Sequence, residues 1–244
     1  MKPLLEIRDL KIEGLSDGGW RPIVKGVDLV LHKGEVLGLI GESGAGKSTI
    51  GIAAMGAVRA GCRFAGGSVV FDGQDLLSLG EAGCRPLRGA RIAYVAQSAA
   101  AAFNPAHRLI DQTIEAGLQH GTLKEEAARA EAVKLYRQLQ LPNPEEIGFR
   151  YPHQVSGGQL QRMMTAMAML FRPDLIIFDE PTTALDVTTQ VEVLGAIRGA
   201  VKTYGTAAIY VTHDLAVVSQ MADRIMVLRH GKKVEDSATR AMLA

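Results

Sequence analysis

The sequence predicts an α/β fold with an inserted helical segment. A glycine-rich loop at residues 41–48 stands between an apolar run and a helix-forming segment. Strand and helix patterns alternate from residue 171 onwards, whereas residues 98–170 have mainly helical patterns. Alternation of strands and helices is typical of α/β domains, in which helices cover a parallel sheet.

Each element is predicted from the spacing of its apolar residues. Short apolar runs predict strands at residues 5–10, 24–31, 36–40, 68–71, 91–96, 175–178, 208–211 and 224–228. Longer segments of helical periodicity predict helices at residues 47–60, 125–139, 159–170 and 187–204. The β segments at the start of the chain and the helices at residues 98–170 therefore flank or interrupt an alternating core.

The composition predicts a soluble globular chain with a sizeable core, because 47% of its 244 residues are hydrophobic and 22% are charged. No apolar run approaches the roughly 20 residues that span a bilayer, and the N-terminus lacks a secretory pattern, so we expect a cytosolic chain. A net charge of +1 argues against binding nucleic acid or lipid through bulk charge. Cys62 and Cys84 predict neither a disulfide nor a metal site.

The glycine-rich loop matches the pattern of a phosphate-binding loop. It consists of Gly41, Glu42, Ser43, Gly44, Ala45, Gly46, Lys47 and Ser48. Glycines let the backbone curl, so that successive N–H groups and the next helix N-terminus face one anion. Lys47 then adds a full charge near the β- and γ-phosphates, and the Ser48 hydroxyl is suited to hold Mg²⁺. The alternative, a glycine-rich turn with an incidental lysine, does not account for the correct flanking elements.

Two acidic residues, Asp179 and Glu180, follow the apolar run at residues 175–178. Open α/β sheets bind ligands at the carboxyl ends of their strands. Asp179 is suited to anchor Mg²⁺ through its shell of water, and Glu180 to polarise the water that attacks a γ-phosphate. Acidic residues after a strand are also common in plain loops, and the phosphate-binding loop upstream favours the functional interpretation.

Between these elements lies the run Val155-Ser156-Gly157-Gly158-Gln159. The phosphate-binding loop, this run and the acidic strand end resemble the Walker A loop, the LSGGQ signature and the Walker B strand of ATP-binding cassette (ABC) transporter subunits. The resemblance covers nearly the whole chain. Val155 replaces the signature leucine, which is a conservative apolar change.

The resemblance implies a fold and ligands. The fold is a P-loop NTPase core of the RecA type with an antiparallel β subdomain, at residues 1–97 and 171–244, and an α-helical subdomain at residues 98–170. The ligands are ATP and Mg²⁺. ATP binding is implied for the Walker A loop together with Thr49.

Three further family elements have matches: a Q-loop glutamine, Gln97; a D-loop, Ala184-Leu185-Asp186; and a switch histidine, His213. The resemblance implies catalytic roles for Gln97, His213 and Glu180, and Mg²⁺ binding by Ser48, Gln97 and Asp179. A lone Gln after a strand is usually a loop residue, and a lone His at a strand end is more often structural. Their joint occurrence in the family's order favours the catalytic interpretation.

The signature residues Ser156, Gly157, Gly158 and Gln159 precede or begin a predicted helix, so they form a second anion site at a helix N-terminus. In the family, the γ-phosphate lies between the Walker A loop of one subunit and the signature of the other. The resemblance therefore implies a head-to-tail dimer, in which this signature acts on the partner's ATP.

The resemblance suggests that Trp20 stacks on adenine. The family has an aromatic residue upstream of Walker A, and aromatic faces stack on bases. Trp20 lies in a predicted loop, residues 15–22, whose glycines leave its course open. The alternative is a surface or core-edge aromatic.

Several runs resemble peptide and nickel importers within the family, among them Ala102-Phe103-Asn104-Pro105, Tyr151-Pro152 and Gln161-Arg162-Met163-Met164. The implied partners are a second ATPase subunit, identical or paralogous, and two transmembrane permease subunits, with an extracytoplasmic solute-binding protein acting indirectly. Residues 98–110 are implied as the permease contact. The implied location is the cytoplasmic face of the cell membrane, where the chain is peripheral.

The sequence leaves alternatives open. The chain lacks the C-terminal segment usual in that branch, which indicates either a trimmed chain or half of a fused double ATPase. A non-transport ABC complex, such as one resembling carbon-phosphorus lyase, is the alternative function. A module that binds nucleotide but hydrolyses it poorly is a third possibility, against which the complete motifs argue.

Overall fold

The structure, a computed structural model, describes residues 2–16, 18–119, 124–183 and 185–243. Its strands are β1 (Leu5–Ser16), β2 (Gly19–Leu31), β3 (Val36–Gly41), β4 (Cys62–Phe71), β5 (Gln74–Asp75), β6 (Ile92–Val95), β7 (Leu175–Asp179), β8 (Ala207–Val211), β9 (Arg224–Arg229) and β10 (Lys232–Ala238). Its helices are α1 (Lys47–Ala53), α2 (Leu76–Cys84), α3 (Ala99–Ala102), α4 (Leu109–Gln119), α5 (Glu125–Gln138), α6 (Gly157–Met169), α7 (Val187–Tyr204), α8 (Leu215–Met221) and α9 (Thr239–Met242). Short 3₁₀ helices lie at Ile147–Phe149 and Pro152–Gln154.

The chain forms two compact units, one of residues 1–88 and 207–244 and the other of residues 89–206. The first unit contains an antiparallel sheet in the order β2-β1-β4-β5 and a second set of strands in the order β10-β9-β3-β8. In the second set β3 runs parallel to both β8 and β9. In the second unit β6 and β7 pair in parallel. The α/β class is confirmed, and the subdomain boundaries implied by the family resemblance stay a prediction.

Strand β3 carries the chain into the phosphate-binding loop. It lies between two parallel neighbours, and Leu37 and Leu39 are fully buried. Gly38 lets α8 approach closely, because a Cβ at this position would lie 2.1 Å from Cγ2 of Val218. The loop therefore begins from a strand that is fixed on both edges and on one face.

Two predicted boundaries are wrong for reasons that involve glycine. The helix predicted at residues 47–60 ends at Ala53, because Gly56 adopts a left-handed conformation with φ of 65°. The strand predicted at residues 68–71 begins six residues earlier, at Cys62. Gly66 and Gly67 look like a break in the sequence but lie inside β4, beside a register shift against β1.

The helices of the second unit pack around buried apolar side chains of α4, α5 and α6. A polar pair lies inside this packing: Thr113 and Tyr136 are both fully buried. The Thr113 hydroxyl donates its single proton to the carbonyl oxygen of Leu109 at 2.8 Å. The Tyr136 hydroxyl, 2.7 Å from Oγ1 of Thr113, must therefore be the donor in that contact.

We expect the Thr113→Val and Tyr136→Phe variants to be non-additive. Thr113→Val leaves the buried Tyr136 hydroxyl without an acceptor and should cost about 1–3 kcal/mol of unfolding free energy, whereas Tyr136→Phe should cost about 0.5–1.5 kcal/mol. The double variant, which removes both groups, should cost less than the sum. Urea unfolding of the four proteins measures these values. Additive costs would mean that the two hydroxyl groups are not coupled, which would contradict the hydrogen bond between them.

The same pair predicts a pH dependence. Burial raises the pKa of Tyr136, so the folded state holds the phenolic proton more tightly than the unfolded chain. The resulting stabilisation is complete below the ordinary tyrosine pKa of about 10 and is lost as the pH rises above it. Between pH 9 and pH 11, the unfolding free energy of the Tyr136→Phe variant should therefore fall by less than that of the wild type. The difference between the two decreases is the contribution of Tyr136 ionisation.

None of the helices in the described part of the chain is both long enough and apolar enough to span a bilayer.

Candidate functional site

The phosphate-binding loop turns the chain from β3 into α1 through left-handed glycines. Gly41, Gly44 and Gly46 have φ of 152°, 80° and 96°, a region that glycine enters without a steric penalty. At Gly41 there is also no space for a side chain, since a Cβ would lie 2.2 Å from the carbonyl oxygen of Leu228. Gly46 is the N-cap of α1, so the first N–H groups of this helix are not covered by a capping side chain and suit an anion.

Lys47 is buried within the loop, with 5% of its surface exposed. Its Nζ donates to the carbonyl oxygens of Gly41 at 2.8 Å and of Glu42 at 3.0 Å. Neutral oxygens hold the ammonium group in these contacts, so they do not cancel its charge. The predicted residues Glu42, Ser43 and Gly44 form the exposed tip of the loop.

The first turn of α1 contributes the remaining residues of the predicted ATP-binding set. Ser48 and Thr49 are half-buried, whereas Ala45 is buried. The amide of Ala45 donates to the carbonyl oxygen of Glu42 at 3.1 Å. This bond closes the loop over a short span of chain.

His213 lies in the same unit as this loop, two residues beyond the end of β8. Since β8 runs parallel to β3 with Val211 opposite Leu39, His213 follows at the level of Gly41, where the loop begins. Adjacent strands lie about 4.8 Å apart. The His213 side chain is exposed, and the next residue, Asp214, caps α8 by accepting from the amide of Ala216 at 2.8 Å.

The predicted loop around Trp20 is wrong. Trp20 lies in strand β2, opposite Leu15 of β1. The hairpin pairing of the two strands continues to Gly19, which has φ of 107°. The glycines that suggested a loop therefore mark the turn itself. The indole is 40% exposed.

Three predicted site residues meet in the second unit, at the carboxyl ends of β6 and β7. The amide nitrogen of Gln97 donates to Oε2 of Glu180 at 3.4 Å. Asp179, which is 5% exposed, accepts a hydrogen bond from the Tyr94 hydroxyl at 2.5 Å. Parallel pairing accounts for this meeting, because it brings the carboxyl ends of both strands to one edge.

Glu180 has a strained backbone, with φ of 49°. Few residues other than glycine adopt this conformation, and those that do often lie at functional sites. Thr183 stabilises the turn, because its hydroxyl lies 3.2 Å from the carbonyl oxygen and 3.2 Å from Oε2 of Glu180. The carboxylate is thus oriented by Gln97 on one strand and by Thr183 in its own turn.

The signature run forms the N-terminus of α6, which begins at Gly157 rather than near Gln159 as predicted. Oγ of Ser156 accepts from the amide of Gln159 at 3.3 Å, and Oε1 of Gln159 accepts from the amide of Ser156 at 3.0 Å. This reciprocal capping box fixes the first turn. The two residues between the members of this capping box, Gly157 and Gly158, have no side chains.

The signature and the D-loop are adjacent in the second unit. A Cβ at Gly158 would lie 2.4 Å from Cγ2 of Thr189, and a Cβ at Gly157 would lie 3.5 Å from Leu185. Asp186 caps α7 by accepting from the amide of Thr189 at 3.0 Å. The backbone bond from Thr189 is the main cause that lowers the pKa of Asp186. Ala184, the first residue of the predicted D-loop, lies outside the described residues.

A family model described as "ABC transporter" matches residues 24–183 of the sequence. This match covers more than half of the chain. The chain belongs to the ABC transporter family.

Two relatives of this ABC transporter chain are similar to it over nearly its full length. It is 37% identical over 239 residues to a probable D,D-dipeptide transport ATP-binding protein of Escherichia coli, a match that covers 98% of this chain and 73% of the relative. It is 38% identical over 236 residues to the dipeptide transport ATP-binding protein of Bacillus subtilis, covering 96% and 70%.

Among solved structures, the ABC transporter chain resembles a dimeric post-hydrolysis state of an ATP-binding cassette bound to ADP and Pi. The TM-score is 0.84 with 24% identity, over 97% of this chain and 99% of that chain. This likeness confirms the predicted ABC ATPase fold.

The structure of this ABC transporter chain adds residues that the sequence did not single out. The sequence pattern places Tyr94 only in a strand, although a tyrosine in an apolar run one strand from the acidic pair is a signal that identifies it. Thr183 and Thr189 act through contacts with Glu180 and Gly158 that form only on folding. The arrangement offers an anion loop in one unit and an oriented carboxylate pair in the other.

Proposed function

We propose that this chain is the ATP-hydrolysing subunit of an ABC importer for peptides or related small solutes. The observation that carries the hydrolytic part is the Glu180 carboxylate, oriented by Gln97 and Thr183 beside the buried Asp179. The transport part is supported by relatives whose names describe dipeptide transport. Since those relatives are transport proteins, the non-transport alternative is not favoured.

ATP binds through its phosphates to the Walker A loop. The backbone N–H groups between Gly41 and Thr49 face the phosphates, and Lys47 contributes a full positive charge inside the loop. Trp20 stacks on the adenine ring.

The residues assigned to Mg²⁺ fit a hard cation, because Ser48, Gln97 and Asp179 each offer oxygen. The amide nitrogen of Gln97 donates to Glu180, so the amide oxygen is the atom that remains for an ion. The Tyr94 hydroxyl occupies one lone pair of Asp179 and leaves the carboxylate further acceptor sites. When bound, Mg²⁺ neutralises charge that develops on the phosphates.

Glu180 acts on the water that attacks the γ-phosphate. As a carboxylate it accepts a proton or polarises the water, and contacts from the Gln97 amide and the Thr183 hydroxyl orient it. His213 positions the same water or contacts the γ-phosphate. Both residues follow the carboxyl end of a strand, which is where α/β sheets bind their substrates.

A second ATPase subunit, a copy of this chain or a paralogue, completes each site. The signature residues, from Ser156 to Gln159, contact the ATP of the partner through the N-terminus of α6. Asp186 of the D-loop follows at the same surface, because the α6 and α7 N-termini are adjacent. ATP binding thus joins two subunits, and hydrolysis releases them.

Two transmembrane permease subunits dock at residues 98–110, which places the chain at the cytoplasmic face of the membrane. A groove of about 430 Å³ borders this segment and is lined by Asn104 and His107 together with Asp111, Gln112, Glu115 and Leu118 of α4. The Gln112 side chain fixes its rim, since it accepts from the amide of Asn104 at 2.8 Å and donates to the carbonyl oxygens of Asn104 and His107 at 3.0 Å each. This hydrogen-bonded rim is the part of the segment that we expect to transmit subunit motion. An extracytoplasmic binding protein supplies the solute.

Affinity purification of the full chain from its native membranes tests this proposal. We expect two permease subunits, identified by mass spectrometry, and ATP-dependent phosphate release by the purified complex. Recovery of soluble partners alone would contradict the transport assignment. Recovery of permeases without phosphate release would contradict the hydrolytic assignment and leave a nucleotide-responsive module.

A further inference from the structure

Trp20 has a cation against one face of its ring. The guanidinium carbon of Arg63 lies 4.2 Å from the centroid of the Trp20 indole. Arg63 is half-exposed and ion-paired, because its Nε and Nη2 donate to Oε2 of Glu13 at 2.9 Å and 2.8 Å. The three side chains form a row of carboxylate, guanidinium and indole.

The row is built by the antiparallel sheet of the first unit. Trp20 lies on β2 and Arg63 on β4, the two neighbours of β1, and Glu13 lies on β1 directly opposite Arg63. Arg63 therefore reaches across the central strand to Trp20. Only about a quarter of the Glu13 side chain is exposed, whereas the indole of Trp20 stays accessible.

The same strand connects this row to the phosphate-binding loop. A Cβ at Gly46 would lie 3.4 Å from Cγ2 of Val24 and 3.5 Å from the carbonyl oxygen of Ile23, both on β2. Trp20 precedes Ile23 by three residues, which is roughly 10 Å along a strand. The indole is therefore separated from the loop by a distance that a ribose and an α-phosphate can bridge.

We propose that Arg63, held by Glu13, is a positioning residue for nucleobase recognition by Trp20. The guanidinium packs against one indole face, which restricts the ring and leaves the opposite face for the base. This inference rests on the proposed ATP-binding function. Arginine suits the role because its planar group stacks on the ring while its edge donates to a carboxylate, which lysine cannot do.

The experiment compares a ligand that has a base with one that lacks it. Dissociation constants for ATP and for inorganic tripolyphosphate, both with Mg²⁺, are measured by calorimetry on the full chain. The variants are Arg63→Gln, Glu13→Gln and Trp20→Leu. The matched control is Arg8→Gln, which removes the ion pair between Arg8 and Glu6. Both residues of this pair lie on β1, the strand that carries Glu13.

We expect Arg63→Gln to raise the dissociation constant of ATP roughly two- to fivefold, the factor that corresponds to a solvent-exposed cation–π contact. Glu13→Gln should act in the same direction and less strongly. Neither variant should change the constant for tripolyphosphate, and Arg8→Gln should change neither constant. Since Trp20 is the chain's single tryptophan, its emission should shift in Arg63→Gln before ligand is added and should respond to ATP but not to tripolyphosphate in the wild type.

The outcomes separate this inference from the function on which it rests. If Trp20→Leu weakens ATP binding but Arg63→Gln does not, Arg63 has no positioning role. Equal weakening of both ligands by Arg63→Gln would mean a general structural effect and would also overturn the inference. If Trp20→Leu leaves ATP binding unchanged, Trp20 is not the base site. If the wild type binds neither ligand, the ATP-binding function itself fails.

Discussion

Replacement of Glu180 by glutamine is expected to reduce ATP turnover by about 10²- to 10⁴-fold while ATP binding persists. Glutamine has nearly the same shape and can still accept a hydrogen bond from Gln97 or Thr183, so the turn after β7 should remain intact. What it lacks is the negative charge that polarises the attacking water. Because hydrolysis releases the two subunits in the proposed mechanism, the variant should also accumulate as an ATP-bound dimer.

Phosphate release, ATP affinity and size-exclusion chromatography measure these three effects. Glu126→Gln is the matched control, since Glu126 is an exposed carboxylate in the first turn of α5. It should change none of them. Turnover near the wild-type rate in Glu180→Gln would mean that another group activates the water, and Asp179 or His213 would then have to be tested.

The parts of the fold that the sequence predicted best are those in which local pattern and tertiary role agree. The run at residues 36–40 is apolar because β3 lies between two parallel strands, and the helix at residues 187–204 has the predicted bounds. The errors occur where glycine acts through tertiary structure. Gly67 is tolerated within β4 because a register shift accommodates it, and no local pattern distinguishes this case from a turn.

The site shows the same division. The glycines of the phosphate-binding loop need left-handed φ values, a local requirement that is visible in the spacing of the motif. The hydrogen bond between Tyr94 and Asp179 depends on the register of two strands that are 80 residues apart in sequence, and the sequence gives no register. The contact of Gly158 with Thr189 depends likewise on how two helices pack.

That contact makes Gly158→Ala a decisive variant for the signature. In an ordinary helix, alanine is more favourable than glycine by about 1 kcal/mol. At Gly158 the added Cβ would lie 2.4 Å from Cγ2 of Thr189, whose branched side chain has few alternative rotamers. We therefore expect the opposite sign, a loss of about 1–3 kcal/mol of unfolding free energy, as α6 is pushed away from α7.

The comparison of Gly158→Ala with two further variants isolates the cause. At Gly157 a Cβ would lie at an ordinary contact distance of 3.5 Å from Leu185, so Gly157→Ala should not destabilise the chain. Thr189→Ser removes only the clashing methyl group, and combined with Gly158→Ala it should restore most of the stability in urea unfolding. ATP turnover should be low in Gly158→Ala and higher in the double variant with Thr189→Ser, because a displaced α6 N-terminus cannot reach the partner's phosphates. If Thr189→Ser restores neither the stability nor the ATP turnover of Gly158→Ala, the close approach of α6 and α7 is not the reason that glycine is needed at residue 158.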